Sequence, residues 1–234
     1  MQSRRGMAVG VEMAAFAHDL RTPMCIAAGA AQMALEAGGR DVSVQLQQIL
    51  QAMGAMDRML SMMSSPSEGT NNRAFTADML RKELLAMTTD QAKRKGQRLS
   101  IDMSALSAYS LELDYAALCR LLLNLLGNAV KYTQAGGTIT LRAQLTHSRW
   151  RQGDLSVCFI VADNGPGMTQ RFMRRMYLPY ARSPETADQP GHGLGLSIAR
   201  NMVKQLGGTI RVRSKRGMGT IFTVNVPARG VKHA

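Results

Sequence analysis

The sequence contains few aromatic side chains and few cysteines. Aromatic residues make up 5% of the 234 residues, and the three cysteines, Cys25, Cys119 and Cys158, lie far apart. Their odd number and wide spacing exclude a disulfide framework and a cysteine metal site, and they indicate a reducing compartment. We therefore expect a cytoplasmic protein.

Long apolar runs are missing as well. No stretch approaches the ~18 to 20 apolar residues of a membrane span, so we expect no membrane segment. Arg4 and Arg5 precede a short apolar stretch, as in a secretory signal peptide, but Glu12 interrupts it and the helical spacing of apolar residues continues through it. The 234 residues include no extra segment that could sense a signal, which leaves two alternatives: the sequence is a piece of a larger sensor, or the protein works with a separate sensor protein as a partner.

Acidic residues are scarce, and the resulting charge is unevenly distributed. The chain has 29 Lys and Arg against 16 Asp and Glu, a net charge of +13. Residues 1–65 carry five of each sign, so residues 66–234 hold the whole excess, with 24 basic and 11 acidic side chains. This imbalance predicts an anionic ligand or an acidic partner for the second part, and a solvated basic face is the alternative.

The N-terminal part has the apolar spacing of two helices, over about 7–36 and 42–63. In the second helix the apolar residues have heptad spacing, which is typical of helical bundles. Two such helices bury too little surface alone, so we expect an antiparallel hairpin that dimerises into a four-helix bundle. We predict this hairpin domain over 1–65, followed by a Ser/Pro/Gly/Asn-rich linker over 66–73.

The C-terminal part mixes helical and strand patterns. We predict that it forms a domain over 74–230 with a short tail over 231–234. Helices are predicted over 76–95 and 115–132, and a last helix is predicted to open in the segment 191–197 and to run to about 206. Strands are predicted over 98–103, 110–113, 138–145, 155–162, 208–214 and 220–226. The fold class is therefore α+β, a helical hairpin followed by a two-layer α/β sandwich with a mixed sheet.

His18 is a candidate nucleophile in the first predicted helix. It lies away from the apolar stripe, so its imidazole should face solvent. Asp19 can hydrogen-bond one ring nitrogen and leave the other free to attack, while Thr22 places a hydroxyl on the same face. Pro23 should bend the helix just beyond. The same residues also fit an ordinary surface histidine beside an aspartate.

Two asparagines are candidate metal ligands. Asn124 and Asn128 lie four residues apart, on one face of a predicted helix. Amide oxygens suit a hard cation such as Mg²⁺. Lys131, three residues further on, can contact a phosphate. Helical asparagines are otherwise typical of caps and packing.

Asp163 ends a predicted buried strand and begins an Asp-Asn-Gly-Pro-Gly segment. Gly165 and Gly167 allow the backbone to approach a ligand closely. A carboxylate at this point can accept a hydrogen bond from an exocyclic amine such as that of adenine. The alternative is an ordinary turn at the end of a strand.

Three glycines precede the last predicted helix. Gly191, Gly193 and Gly195 free backbone N–H groups at a helix start, where the dipole favours phosphate. The segment follows no predicted strand and lacks a Lys-Ser/Thr pair. Neither a dinucleotide-binding turn nor a P-loop fits it.

Taken together and in this order, these segments resemble the conserved boxes of bacterial two-component sensor histidine kinases, over nearly the whole chain. The resemblance implies the ATP-binding fold that these kinases share with Hsp90-type ATPases and gyrase-type topoisomerases. His18 to Pro23 is similar to the phosphoacceptor box, Asn124 to Lys131 to the asparagine box, Asp163 to Gly167 and Gly191 to Ser197 to the two glycine boxes, and Gly217 to Phe222 to the closing glycine motif.

The resemblance implies an ATP-dependent protein-histidine kinase core that uses ATP and Mg²⁺. It makes Asn128 the metal ligand with Asn124 in support, puts Lys131 on a phosphate, and puts Asp163 on adenine beside Tyr132. The other nucleotide-binding positions that it implies are Gly165, Gly167, Gly191, Gly193, Leu194, Gly195, Leu196, Ser197 and Thr220.

In this family the histidine receives the γ-phosphoryl group, which implies that role for His18. Asp19 would orient the imidazole and Arg21 would steady the transferred charge. The phosphoryl group would pass to an aspartate on a response-regulator receiver domain docked on the hairpin. Thr22 matches the position at which a hydroxyl can place a water for response-regulator dephosphorylation.

Asn124 agrees with a histidine acceptor. The ATPase members of the superfamily carry a glutamate at the corresponding position because they must activate a water. An imidazole nitrogen already has a lone pair and needs no base on the ATP domain.

The chain departs from the family pattern between the two glycine boxes. Phe172, Tyr177 and Tyr180 stand there in place of a phenylalanine-rich segment. The resemblance implies that the glycines of the second box, with Leu196 and Ser197, form a lid over the triphosphate, and we expect this lid to dock differently here.

Two other functions are alternatives: a signalling scaffold that binds ATP without transferring it, and a basic nucleic-acid-binding module. The clusters at Lys93, Arg174 and Arg211–Arg216 have no interleaved aromatics, so we expect no nucleic-acid partner.

Overall fold

Two units make up the chain, Met1–Ser65 and Pro66–Ala234. The computed structural model describes residues 23–37, 42, 44–45, 48–49, 52, 56, 72–147, 155–178, 181–183, 193 and 195–232. In the first unit, residues 23–36 form a helix and the described positions between 44 and 56 are also helical. The pairing of these helices into a hairpin, and the dimer bundle, stay predictions.

The second unit contains a mixed sheet whose described part has seven strands. The order is β1-β3-β7-β5-β4-β2, with β6 paired to β7; β2 and β4 are parallel and the other pairs are antiparallel. The strands are β1 Asn72–Thr76, β2 Arg98–Asp102, β3 Tyr109–Asp114, β4 Thr138–His147, β5 Leu155–Asp163, β6 Thr209–Ser214 and β7 Thr220–Lys232.

The helices of this unit are α1 Ala77–Arg94, α2 Tyr115–Tyr132, α3 Gln170–Met173 and α4 Gly195–Gln205, with a short 3₁₀ turn at Ser104–Leu106. Helices α1, α2 and α4 pack against the sheet, which confirms the predicted α/β fold of this domain. None of the helices in the described ranges is long and apolar enough to cross a membrane.

Side-chain alternation explains how the sheet meets the helices. On β4, Ile139 and Leu141 are fully buried and Ala143 is buried, whereas Arg142, between Leu141 and Ala143, is exposed. On β5, Val157 and Phe159 are fully buried in the same register. Their apolar side chains form one wall of the core, and the leucines of α2 form the other.

Helix α2 positions most of the candidate site residues. Asp114 caps its start by accepting a hydrogen bond from the backbone N–H of Ala117 at 3.0 Å. Leu118, Leu121 and Leu125 are among its fully buried side chains. Because leucines are buried on more than one side, α2 is the central helix of the layer. Packing on these sides holds the orientation of the helix axis.

The structure corrects two of the expected boundaries. Residues 72–73, expected in the linker, belong to β1, and residues 231–232, expected in the tail, belong to β7, which was predicted to end at 226. β1 is mostly exposed and lacks an alternating pattern. Pro227 and Gly230 argue locally against a strand, yet β7 continues past both because it pairs with β3.

Candidate functional site

The two asparagines of α2 face the first residue of α4. A Cβ on Gly195 would lie 3.4 Å from the amide atoms of Asn128 and 3.5 Å from Asn124 Oδ1. The side chain of Asn124 is anchored, because its Nδ2 donates to the carbonyl of Arg120 at 2.9 Å. Asn128 Nδ2 is buried and has no hydrogen-bond partner among the described residues. We call Asn124, Asn128 and Gly195 the asparagine cradle.

The asparagine cradle fits Mg²⁺ and a phosphate. Leaving a buried amide without a hydrogen-bond partner costs about 1–3 kcal/mol. The Asn128 amide therefore indicates a binding site in which a ligand supplies the missing partner. A rotation of the amide by half a turn exchanges its nitrogen and oxygen, and an oxygen there is a ligand that Mg²⁺ accepts alongside water and phosphate oxygens. The start of α4 adds backbone N–H groups that favour an anion.

Asp163 ends β5 half-buried, with its carboxylate held from two sides. Oδ1 accepts a hydrogen bond from the backbone N–H of Gly165 at 2.9 Å. The backbone N–H of Thr220, its cross-strand partner on β7, also donates to it. Burial raises the pKa of Asp163, and the two donors oppose that rise only in part. A desolvated carboxylate of this kind is a strong acceptor for an exocyclic amine.

The loop after Asp163 packs backbone to backbone against the turn between β6 and β7. The N–H of Gly217 donates to the carbonyl of Pro166 at 2.7 Å. Gly167 and Gly219 have φ angles of +66° and +85°, and a Cβ on either would overlap a carbonyl oxygen of the facing segment. Glycine is therefore required at both positions.

Ser214, which the sequence did not mark as a site residue, ties three segments of this wall together. Its hydroxyl donates to the carbonyl of Gly219 at 2.9 Å and accepts from the N–H of Met168 at 2.8 Å. It also lies 3.0 Å from the hydroxyl of Thr220. Met168 lies 46 residues away in the sequence, so no local pattern could have identified this role of Ser214.

The end of α2 joins the two halves of the site. Lys131 Nζ donates to the Tyr132 hydroxyl at 2.9 Å and lies 4.5 Å from the centre of that ring. The two side chains, expected on a phosphate and beside the base, thus contact each other here. One residue further on, the hydroxyl of Thr133 lies 3.3 Å from where a Cβ of Gly165 would be.

The segment after α3 contacts α4 through Tyr177. The guanidinium of Arg200 lies 5.2 Å from the centre of its ring. The Tyr177 hydroxyl is buried, and no partner for it occurs in the part of the chain that is described. Burial raises the pKa of this hydroxyl.

Several expected site residues lie outside the described ranges. These are His18, Asp19, Arg21 and Thr22 of the first unit, and Gly191, Leu194 and Tyr180 of the second. Gly193 has a φ of +71°, Leu196 is half-buried and Ser197 is buried in the first turn of α4. The described candidates therefore form two groups on the second unit, connected by the last turn of α2. One is the asparagine cradle, and the other, which we call the Asp163 wall, consists of Asp163, Gly165, Gly167, Gly219 and Thr220.

A mixed sheet with this helix layer and these two groups defines a nucleotide-binding domain of the histidine-kinase type. Residues 113–230 match the family model described as histidine kinase-, DNA gyrase B- and HSP90-like ATPase, and the chain belongs to this family. The expected two-component sensor histidine kinase core is thereby confirmed.

Protein sequences that align with about 90% of this chain support the same family. The chain is 31% identical over 237 residues to the adaptive-response sensory kinase SasA of Parasynechococcus marenigrum, covering 90% of this chain and 55% of that protein. It is 29% identical to the virulence sensor protein BvgS of Bordetella bronchiseptica, covering 92% of this chain and 18% of that protein. The chain thus spans about half or less of these relatives.

A solved structure has the same fold at low sequence identity. Full-length ShkA in complex with AMPPNP superposes with a TM-score of 0.69 at 21% identity, covering 94% of this chain and 46% of that chain.

Proposed function

We propose that the chain is an ATP-dependent protein-histidine kinase of a two-component system. The observation that carries the proposal is the asparagine cradle, in which a buried Asn128 amide without a partner faces the open position at Gly195. The family supports ATP as the nucleotide, and the bound AMPPNP in the ShkA structure supports it further.

The nucleotide would lie between the two groups of the site. Asn128, supported by Asn124, would hold Mg²⁺, and Asp163 would accept a hydrogen bond from the amine of adenine. Lys131 would leave the Tyr132 hydroxyl for a phosphate. When bound, Mg²⁺ neutralises the charge of the triphosphate oxygens. The residues contribute mainly by positioning and charge neutralisation.

His18 would be the acceptor of the γ-phosphoryl group. A bond forms between an imidazole nitrogen and the γ-phosphorus, the bond to the bridging oxygen breaks, and ADP leaves. Asp19 would hold the ring in the reactive tautomer, and Arg21 would stabilise the transferred charge. The phosphoryl group would then pass to a carboxylate of a response-regulator receiver domain.

The proposed partners follow from the same assignment. They are a second copy of the chain through the hairpin and a receiver domain, both in the cytoplasm. The methionine- and leucine-rich heptad spacing supports the dimer. A histidine kinase, ThkA, has been solved in complex with the response regulator TrrA, with a TM-score of 0.63 and 18% identity to this chain.

Transfer of label from γ-labelled ATP tests the proposal. We expect label on the wild type and none on His18→Gln, while both bind Mg-ATP with affinities within about twofold, because the substitution lies outside the nucleotide site. Asn128→Ala is expected to lose both binding and label. Label on His18→Gln, or wild type that binds Mg-ATP and never acquires label, would contradict the proposal, and the second result would favour the scaffold.

A further inference from the structure

Two side chains outside every motif hold the C-terminus of α2. Lys95, in the turn after α1, donates from Nζ to the carbonyl oxygens of Val130, Lys131 and Thr133 at 2.8, 2.7 and 3.0 Å. Gln97 donates from Nε2 to the carbonyls of Val130 and Thr133 at 3.0 and 2.7 Å. We call Lys95 and Gln97 the α2 clamp.

The chemistry of the α2 clamp matches the end of a helix. The last carbonyls of a helix have no partner within it and carry the negative end of the helix dipole. A lysine ammonium has three N–H donors, and here each one meets a carbonyl. Burial lowers the pKa of Lys95, because the charged form is partly removed from water. The ammonium therefore replaces lost hydration with these carbonyls.

Main-chain hydrogen bonds fix the α2 clamp in place. The N–H of Gly136 donates to the carbonyl of Lys95 at 3.2 Å, and the N–H of Arg98 donates to the carbonyl of Gly137 at 2.8 Å. The turn after α1 and the turn after α2 are thus joined on both sides of the clamp. Lys95 acts from a fixed backbone and not from a flexible loop.

The clamped turn is also the turn that carries two of the nucleotide-binding side chains. Lys95 binds the carbonyl of Lys131 itself, and Tyr132 lies between two further carbonyls that the α2 clamp binds. An unclamped last helical turn frays readily, because its carbonyls have only water as a partner. Fraying at this point would move the Cα of Lys131, and with it the reach of its ammonium.

We propose that Lys95 and Gln97 are positioning residues for triphosphate binding, acting through Lys131. They hold the backbone of the last turn of α2, so that the Lys131 ammonium can swing from the Tyr132 hydroxyl to a phosphate without the helix end moving. This inference rests on the proposed function, since it assumes that the second unit binds ATP.

A double-mutant cycle on Mg-ATP affinity tests the coupling. Lys95→Met keeps the length of the side chain and removes all three donors, and we expect the Kd for Mg-ATP to rise about tenfold. In the Lys131→Gln background the same substitution should raise Kd less than about threefold, because the residue through which it acts is already gone. Gln97→Met, which leaves the charge in place, should show the same pattern with a smaller first effect.

Two control variants separate positioning from general destabilisation. Lys82→Met is the same substitution on α1, where the ammonium pairs only with the exposed Asp78 among the described residues, and it should leave Kd unchanged. Thr88→Val removes the buried hydrogen bond to the Leu84 carbonyl at 2.6 Å. It should lower the melting temperature and leave Kd unchanged at a temperature where the protein is folded.

The outcomes distinguish this inference from the function on which it rests. Folded Lys95→Met and Gln97→Met proteins with wild-type Kd would overturn the inference and leave the kinase proposal intact. A full tenfold loss that persists in the Lys131→Gln background would also overturn it, since the effect would then not pass through Lys131. Failure of the wild type to bind Mg-ATP would overturn both.

Discussion

The main chain of Gly219 lies directly against the carbonyl oxygen of Asp163, so closely that not even a methyl group fits between them. The contact joins the turn between β6 and β7 to the end of β5, and it leads into the hydrogen bond from Thr220 to the Asp163 carboxylate. The position of the carboxylate proposed to read adenine therefore depends on a glycine that is far away in the sequence.

Substitution of this glycine should destabilise the second unit strongly. Gly219→Ala combines a left-handed backbone, at a φ of +85°, with an overlap of the new Cβ and the Asp163 carbonyl. We expect the free energy of unfolding to fall by at least about 3 kcal/mol. Gly217→Ala is the control, because its φ is +76° but a Cβ there meets nothing within 4 Å. It should lose only about 1–2 kcal/mol in urea denaturation, and equal losses would contradict the packing argument.

Asp163→Asn should weaken Mg-ATP binding without lowering the free energy of unfolding at pH 7. The pKa of Asp163 is raised in the folded state by burial. A carboxyl group with a raised pKa contributes stability that is fully present below its ordinary pKa of about 4, and this is lost as the pH rises through the folded-state pKa. At pH 7 the asparagine variant should thus be at least as stable as wild type.

The stability difference between Asp163→Asn and wild type should narrow as the pH falls toward 4. Urea denaturation at several pH values measures it. Mg-ATP affinity at pH 7 should fall at least about tenfold, because a charged acceptor is lost. A variant that is clearly less stable than wild type at pH 7, or one with unchanged affinity, would contradict the role assigned to the carboxylate.

Gly195→Ala should fill the asparagine cradle without harming the fold. Its Cβ would contact the Asn128 amide at 3.4 Å, an ordinary van der Waals distance, and alanine favours the helix by up to about 1 kcal/mol. We expect an unchanged or higher melting temperature together with Mg-ATP affinity at least about tenfold weaker, since the methyl group occupies the ligand's place.

Gly127→Ala is the matched control for the cradle. A Cβ at Gly127 of α2 meets nothing within 4 Å, so the protein should gain stability and keep its affinity. If the two variants bind Mg-ATP alike, the cradle is not part of the nucleotide site.

We propose a second activity, dephosphorylation of the response regulator, and Thr22→Ala should affect it differently from autophosphorylation. A hydroxyl four residues after the phosphoacceptor can place a water for attack on the phosphorylated response regulator, but it has no part in transfer from ATP to His18. We expect autophosphorylation to remain within about twofold of wild type and dephosphorylation of the regulator to slow at least about tenfold. The Thr22→Ser variant should keep both activities, and equal loss of both in Thr22→Ala would refute the separation.

Helices and strands could be predicted from the sequence where their own residues and the residues next to them determine where they begin and end. The bounds of α2 agree with the prediction because Asp114 caps one end and a Gly-Gly turn follows the other. β1 and the end of β7 were missed because only their pairing with β3 makes them strands. Pro227 and Gly230 act locally against that outcome.

The same distinction applies to the site. Asn124, Asn128 and Asp163 belong to motifs and could be named individually from the sequence. The α2 clamp could not, because Lys95 reaches carbonyls 35 or more residues away and its own neighbours suggest only a basic, solvated helix end. Ser214 was missed for the same reason, since Met168, which donates to its hydroxyl, lies 46 residues away in the sequence.

Mass spectrometry that locates phosphate on the His18 imidazole is the sharpest test of phosphoryl transfer from ATP to this residue. Freshly folded protein is incubated with Mg-ATP, digested at alkaline pH to preserve phosphohistidine, and fragmented to locate the added phosphate. We expect one phosphoryl group on His18 of the wild type and none on His18 of the Asn128→Ala protein treated in parallel. A folded, ATP-binding wild type whose His18 carries no phosphate would contradict this expectation.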